Sequence, residues 1–414
     1  MRIVHFSWEF PPVIFGGLGT FAMGITKKQR ELGNEITVFS LNEQNKYKPL
    51  DTWNGITVYR PITPDITSAL HSCINDELYQ WGPNFKFFSD VVGYNLLSAS
   101  QLVMLSSNNG NKPIDIIDAH DWLGILGGMV AKQALKKPLI FHVHSTEIGR
   151  SIGGGSKTIK NIEFNGGQVA DGIITVSYAM KDELIHLGFP KEKIRVCWNG
   201  VDPEKYNPET ISQQEKNTLR HSYGIKDDET MLFFIGRLVT VKGADKLIEA
   251  MPEVLQEFPK TKLVLLGIGD MQQDISNRIN QLGLEKNIIF RNEFVNEKQR
   301  ILHYASSDIV ILPSLYEPFG IVCTEAMAMA KPVVVGARGT SGFREQIISY
   351  GKDQCGIHIN PNDPHDIAWG IKQILSKEDK GLTMGHNGRH RAKTLFTWDV
   401  VTQRTHEIYN EFIQ

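Results

Sequence analysis

The segment Ile309-Val-Ile-Leu-Pro-Ser-Leu-Tyr-Glu-Pro-Phe-Gly-Ile-Val-Cys-Thr-Glu325 reads as a strand, a turn and the opening of a helix. Ile309 to Leu312 is a short apolar run stopped by Pro313, the form of a strand covered on both faces. Phe319, Gly320, Ile321 and Val322 should then open the helix with unpaired backbone N–H groups, a natural seat for a phosphate. Two carboxylates flank that start, Glu317 on the turn and Glu325 inside the helix. At about 100° per residue, eight residues set them roughly 80° apart, so they are not expected to work as an acid–base pair on one face. The expectation is that they hold two ends of one extended ligand. A sugar nucleotide has such ends, a sugar and a ribose, with a diphosphate between.

Outward from this segment, strand-length apolar runs alternate with longer amphipathic stretches, the pattern of parallel sheets with covering helices. In the first half the strands read Ile3 to Phe6, Ile36 to Phe39, Ile114 to Ala119, Leu139 to Val143, Gly172 to Val176 and Ile194 to Cys197. In the second they read Leu232 to Ile235, Lys262 to Leu266, Ile288 to Phe290, Ile309 to Leu312 and Pro332 to Val335. A chain of 414 residues exceeds what one core usually supports. Two α/β doubly wound domains are therefore expected, divided in the turn-rich Asn199 to Pro208: residues 1–205, joined by a closing helix at 398–414, and residues 206–397. Residues 61–100 fit the alternation poorly and carry Tyr79, Trp81, Phe85, Phe87, Phe88 and Tyr94. They read either as an insertion beside a ligand or as a satellite hydrophobic cluster.

Composition excludes several classes. Lys and Arg number 44 against 46 Asp and Glu, which gives no basic footprint for nucleic acid and no polybasic membrane patch. The four cysteines, Cys73, Cys197, Cys323 and Cys355, form no Cys-x-x-Cys pair and suit a reducing compartment. Met1-Arg2 leads directly into a strand, and no long apolar run follows. A cytoplasmic protein without an integral membrane segment is expected, with small-molecule partners.

In open parallel sheets, ligands bind beyond the carboxyl ends of the strands, so polar residues just after strands are the candidates. After the first strand stand Ser7-Trp-Glu-Phe-Pro-Pro12 and the loop Gly16-Gly17-Leu18-Gly19, where backbone can approach a ligand. His120-Asp121-Trp122 follows a later strand. Asp121 either contacts a sugar or caps the helix that begins at Trp122. His142 and His144 alternate on one face; without a nearby carboxylate ligand set they do not make a zinc site. His144 is instead expected to donate to a sugar hydroxyl or a leaving phosphate. Gly236-Arg237 and Lys242 flank one short βα loop, so both cations should converge on one anion, such as a departing diphosphate. Gly267-Ile-Gly269-Asp270 resembles half of a dinucleotide fingerprint, and neither a Walker lysine nor a full Gly-x-Gly-x-x-Gly is present.

Taken together, these residues resemble the retaining glycosyltransferases of the GT-B fold, in the branch that includes glycogen and starch synthases. The resemblance rests on Glu317-x7-Glu325, Gly236-Arg237 with Lys242, Ser7 to Pro12 with Gly16 to Gly19, His120-Asp121-Trp122 and His144-Ser-Thr-Glu147. It implies two Rossmann-like domains facing a deep interdomain cleft, the donor held by the C-terminal domain, the acceptor by the N-terminal one, and a last helix that crosses back. It further implies that Glu325 binds ribose, Glu317 holds the donor sugar, and Arg237 and Lys242 stabilise the diphosphate. N–H groups near Gly17 and at Ile321 and Val322 would help, and His144 and Asp121 would contact the transferred sugar. Gly236, Phe319 and Gly320 complete the implied donor site. The implied activity moves a hexose, glucose first, from UDP- or ADP-glucose to a sugar or glucan hydroxyl with retention. It requires no cofactor and no metal-binding Asp-x-Asp, and none is present. One departure stands out: glycogen and starch synthases carry Lys-x-Gly-Gly at the first loop, where this chain has Ile14-Phe-Gly-Gly17. The alternatives are a sugar-nucleotide or glucan-binding protein without catalysis, and an epimerase or phosphorylase on the same architecture.

Overall fold

Along each central strand of the first half, neighbouring residues enter different cores. Ile3, Ile116, Ile140 and Ile174 pack in one cluster, while Val4, Ile117, Phe141 and Ile173 pack in another. Such strands are apolar on both faces because helices cover both. The computed structural model describes residues 1–107 and 113–413. They divide into two units, Met1–Gly200 with Trp398–Gln414, and Val201–Thr397.

The sheet of the first unit contains β1 (Arg2–Phe6), β2 (Glu35–Phe39), β3 (Leu50–Trp53), β4 (Ile56–Tyr59), β5 (Ile116–His120), β6 (Leu139–Val143), β7 (Gly172–Thr175) and β8 (Ile194–Val196). Their order is β3-β4-β2-β1-β5-β6-β7-β8, and only the β3–β4 pair is antiparallel. The chain reverses direction across this sheet between β1 and β5, the position where open α/β sheets leave a crevice. The closing helix Trp398–Asn410 belongs to this unit. Its Val401, Ile408 and Tyr409 join the cluster of Ile3 and Ile116, and a Cβ on Gly24 would lie 2.3 Å from the Trp398 indole.

The second unit holds β9 (Thr230–Ile235), β10 (Thr261–Leu266), β11 (Ile288–Arg291), β12 (Ile309–Leu312), β13 (Val333–Gly336) and β14 (Gly356–Ile359). All pairs are parallel, in the order β11-β10-β9-β12-β13-β14. Counted within the unit this is 3-2-1-4-5-6, the doubly wound dinucleotide-binding order, with its switch point between β9 and β12.

Several details depart from the sequence expectation, among them strand β14, which was not expected. The division falls at Gly200–Val201, earlier than 205–206, because Val201 bridges Thr397 and the Tyr206 hydroxyl is bound to Glu325. The hairpin β3–β4 went unread, since only Ile56 and Val58 of its eight residues are buried. Most of the poorly fitting 61–100 region is regular: Phe85–Ser107 is one helix packed on Asp121–Leu135. Phe85, Phe88 and Tyr94 join Trp8 and Trp122 in a satellite cluster, whereas Tyr79 and Phe87 stay exposed.

Candidate functional site

In the second unit the loops after β9 and β12 border the switch point, and they carry most of the predicted residues. The Lys242 Nζ lies 2.5 Å from Glu317 Oε2, which also accepts from the Ser314 hydroxyl at 3.0 Å. Both ends of the pair are largely buried. Lys242 is therefore matched to Glu317, while Arg237 is exposed and its guanidinium has no partner among the described residues. The two cations do not share a protein anion.

Glu317 is positioned by backbone pairing with a second loop: its N–H donates to the Thr340 carbonyl and its carbonyl accepts from Gly342. The helix begins only at Ile321 and ends at Ala328. The estimate of an 80° offset assumed helix from Glu317 onward and does not apply, because the loop and not the helical pitch orients Glu317. Gly320 turns the chain into that helix at φ 92°, and a Cβ there would meet the Phe343 ring at 2.3 Å. Phe319 is buried, with its carbonyl held by Gln346 Nε2 at 2.8 Å. No side chain caps the helix, and the N–H groups of Ile321 and Val322 have no acceptor among the described residues.

Glu325 is nearly sealed, and both its oxygens are engaged. Tyr206 donates to Oε1 at 2.8 Å, Tyr304 to Oε2 at 2.9 Å, and Arg300 approaches Oε1 at 3.3 Å. Burial lifts the hydroxyls of Tyr206 and Tyr304 far above their ordinary range, so both remain donors. No sequence pattern marks these three partners, which come from separate segments. Gly236 follows β9, and Gly267 has its own structural reason, since a Cβ there would lie 1.9 Å from the Gly236 carbonyl oxygen.

In the first unit, Asp121 begins the helix after β5 at φ 51°, yet its side chain does not cap that helix. Its Oδ1 accepts from the backbone N–H of His144 at 2.7 Å and of Ser145 at 3.3 Å, which ties the end of β5 to the end of β6. Burial pushes the Asp121 carboxyl up to about 6, against the pull of Arg150 and these N–H groups. Burial likewise raises Glu163, which accepts from the Glu147 N–H and pairs with Arg150, to about 7.

Glu9 occupies the glycine loop. Its Oε2 accepts from the N–H groups of Phe15, Gly16 and Gly19 at 2.9, 3.0 and 3.2 Å. The expected affinity of this loop for an anion is thus partly met by the chain itself. Gly17 is exposed at the start of helix Gly17–Glu31, and no neighbour lies within 4 Å of a Cβ built on Gly16 or Gly17.

The two histidines read from the sequence belong to a larger group. His5, His120, His142 and His144 stack at the ends of β1, β5 and β6, with adjacent ring centroids 4.6 to 5.4 Å apart. Asp118 lies among them, 3.4 Å from His142 Nδ1, and accepts from the Tyr409 hydroxyl. The premise that no carboxylate is near was therefore wrong: His5 and Asp118 are direct register partners, as are His120 and His142. Two overlapping triads, His120–His142–His144 and His5–Asp118–His120, have candidate ligand atoms within 4.8 Å of one another. Both nitrogens of His120 are taken by neighbouring rings, and the rings lie nearly parallel, with interplanar angles of 3° to 26°. Both triads include His120, so a metal in either would have to displace one of these ring hydrogen bonds. The group is a hydrogen-bonded stack.

No helix among the described residues is long and apolar enough to cross a membrane. The chain matches the Glycosyltransferase Family 4 family over residues 15–205 and the family of glycosyl transferases group 1 over residues 215–391. It is 32% identical over 414 residues to an uncharacterized glycosyltransferase of Methanocaldococcus jannaschii, covering 99% of this chain and 98% of the other. It is 26% identical to a glycogen synthase of Mycobacterium tuberculosis, covering 99% and 94%. Among solved structures, Anabaena HepE in complex with UDP and glucose superposes with a TM-score of 0.75 at 22% identity, covering 99% of this chain and all of that one.

Proposed function

The chain belongs to the family 4, group 1 glycosyltransferases of GT-B fold, and from that premise we propose that it transfers glucose from a nucleoside diphosphate sugar to a carbohydrate hydroxyl with retention of configuration. The observation that carries this reading is the start of helix Ile321–Ala328: two N–H groups without acceptors among the described residues, beside the Lys242–Glu317 pair. A diphosphate placed there gains N–H donors and a cation as its charge grows on leaving. Glu317 then accepts from the donor sugar's hydroxyls, and Lys242 turns from its carboxylate to the phosphates. Arg237, exposed in the same loop and unpaired among the described residues, supplies the second cation. Gly236 keeps the approach clear.

Glu325 is the ribose ligand in this reading. Its two oxygens are held by hydroxyl donors, Tyr206 and Tyr304, which a ribose diol can replace like for like. In the first unit Gly16 and Gly17 have neither a positive φ nor a crowded Cβ direction, so nothing in the protein itself calls for glycine. Close approach of a ligand accounts for them. His144 and Asp121 serve the transferred sugar, and the carbohydrate acceptor is taken by this unit. Relatives support a glucosyl donor: one is named a glycogen synthase, and HepE was solved with UDP and glucose. The reaction needs no cofactor and no metal, since Lys242, Arg237 and the helix start supply the neutralisation. Incubation with UDP-, ADP- and GDP-sugars plus glucose, sucrose and glucan acceptors should release nucleoside diphosphate with one donor class. Absence of release from every donor overturns the reading.

A further inference from the structure

The buried stack in the first unit contains an unbroken line of hydrogen bonds that begins at an amide and ends at a candidate sugar ligand. Gln29 Oε1 lies 2.8 Å from His5 Nε2, His5 Nδ1 lies 3.1 Å from His120 Nε2, and His120 Nδ1 lies 3.1 Å from His144 Nε2. Gln29, His5 and His120 are fully buried, whereas His144 is half-buried and its Nδ1 has no hydrogen-bond partner among the described residues. A neutral imidazole has one donor and one acceptor, so the state of one ring dictates the next.

The direction is set at the closed end. The Gln29 carbonyl oxygen can only accept, so His5 must donate from Nε2 and accept at Nδ1. His120 then donates from Nε2 and accepts at Nδ1, and His144 donates from Nε2. The Gln29 amide turns its Oε1 to His5, and its Nε2 is buried without a hydrogen-bond partner among the described residues. Burial lowers His5, lowers His120 to about 3 and holds His144 well below the ordinary imidazole range, so each ring carries one proton at neutral pH. His142 stands apart. It faces the Asp118 carboxylate through Nδ1 and must donate there, and its Nε2 is buried without a partner among the described residues.

We infer that Gln29, His5 and His120 form a directional relay that fixes His144 as the Nε2–H tautomer and presents its Nδ1 lone pair to a ligand hydroxyl. His144 is thus an acceptor at the open end, the reverse of the donor expected from the sequence. It suits a neutral polyol, which brings its own O–H, and repels a phosphate oxygen, which brings none. Gln29, His5 and His120 are positioning residues that act through His144. The assignment of the ligand as a sugar rests on the transfer reading; the tautomer does not.

Long-range proton–nitrogen correlation spectra of the whole chain labelled with 15N-histidine, assigned by single His→Gln variants, test the tautomer without any substrate. His5, His120 and His144 should appear as neutral Nε2–H rings, and His142 should carry a proton on Nδ1 facing Asp118. A His144 ring protonated at Nδ1 overturns the inference. Gln29→Met should scramble the His5 and His144 tautomers in a protein that still melts cooperatively; unchanged spectra show that Gln29 only packs, and the relay fails. Turnover gives the second arm, using donors with a single hydroxyl replaced by hydrogen or fluorine. Fluorine accepts but does not donate. At the position served by His144, both replacements should cost tenfold or more in kcat/KM, and both losses should shrink in His144→Ala. A fluoro donor that works as well as the parent at every position overturns the acceptor role. If no donor is turned over at all, the transfer reading fails while the spectra still decide the tautomer.

Discussion

Replacing Lys242 by Met removes the cation that Glu317 is built around, and the structure sets the size of the effect. At 2.5 Å the pair's gross attraction is about 7 kcal/mol for an effective dielectric near 20. Most of that is offset by the desolvation of two largely buried charges. Lys242→Met leaves Glu317 with one hydroxyl donor, Ser314, and should destabilise the chain by about 3 kcal/mol, the lower end for a broken buried pair. For a domain of this size that is a fall in Tm of about 6–12 °C. Glu317→Gln should cost a similar amount. In the double variant the losses should fall short of their sum by about 2 kcal/mol, because neither orphaned charge remains. Urea denaturation of the four proteins, followed by nucleoside diphosphate release, measures both roles. Turnover of Lys242→Met should drop about 100- to 1000-fold, the cost of one lost transition-state donor. Losses additive to within about 0.5 kcal/mol would show that the two side chains do not interact, and unchanged turnover would remove Lys242 from the site.

Gly320→Ala should cost about 3 kcal/mol or more, because its Cβ must displace the Phe343 ring at a positive φ, and nucleotide binding measured by calorimetry should weaken with it. Wild-type affinity in that variant would detach the helix start from the donor. Tyr206→Phe frees Glu325 Oε1 from one donor and should tighten nucleotide binding several-fold, since the ribose no longer displaces a hydroxyl; weaker binding in a thermal-shift titration would contradict this. Asp121→Asn keeps the acceptor for His144 and Ser145 but not the titration. Burial raises the folded-state carboxyl to about 6, and an unfolded Asp titrates near ~3.9, so the folded chain holds the extra proton between those values. Relative stability is therefore fully present below ~3.9 and is lost as pH rises towards 6, by about 3 kcal/mol. Denaturation midpoints of wild type minus variant should fall over that window, and a flat difference would refute the raised carboxyl.

The fold was legible because parallel strands covered on both faces leave unbroken apolar runs, and eleven such runs fall on strands of the two sheets. The half-exposed β3 and β4 leave no such run, and β14 opens on a glycine, so these were missed. Candidate residues next to strand ends, such as Lys242, Glu317 and Asp121, were legible because doubly wound sheets put ligands there. Their partners were not. Tyr206, Arg300 and Tyr304 reach Glu325 from distant segments, and the Glu9 hold on the glycine loop depends on a turn conformation with no sequence pattern. The histidine stack was half legible: period-two spacing put His142 and His144 on one face, but only the register of β1 against β5 brings in His5 and Asp118.

Transfer itself is most directly tested by following glucose labelled with 13C at C1 from the accepted nucleotide donor into product. The account predicts one nucleoside diphosphate released per glycosidic bond formed, with the α configuration of the donor kept in the product and turnover unaffected by EDTA. Nucleotide bound without release, free glucose as the sole product, or a β-linked product would contradict it.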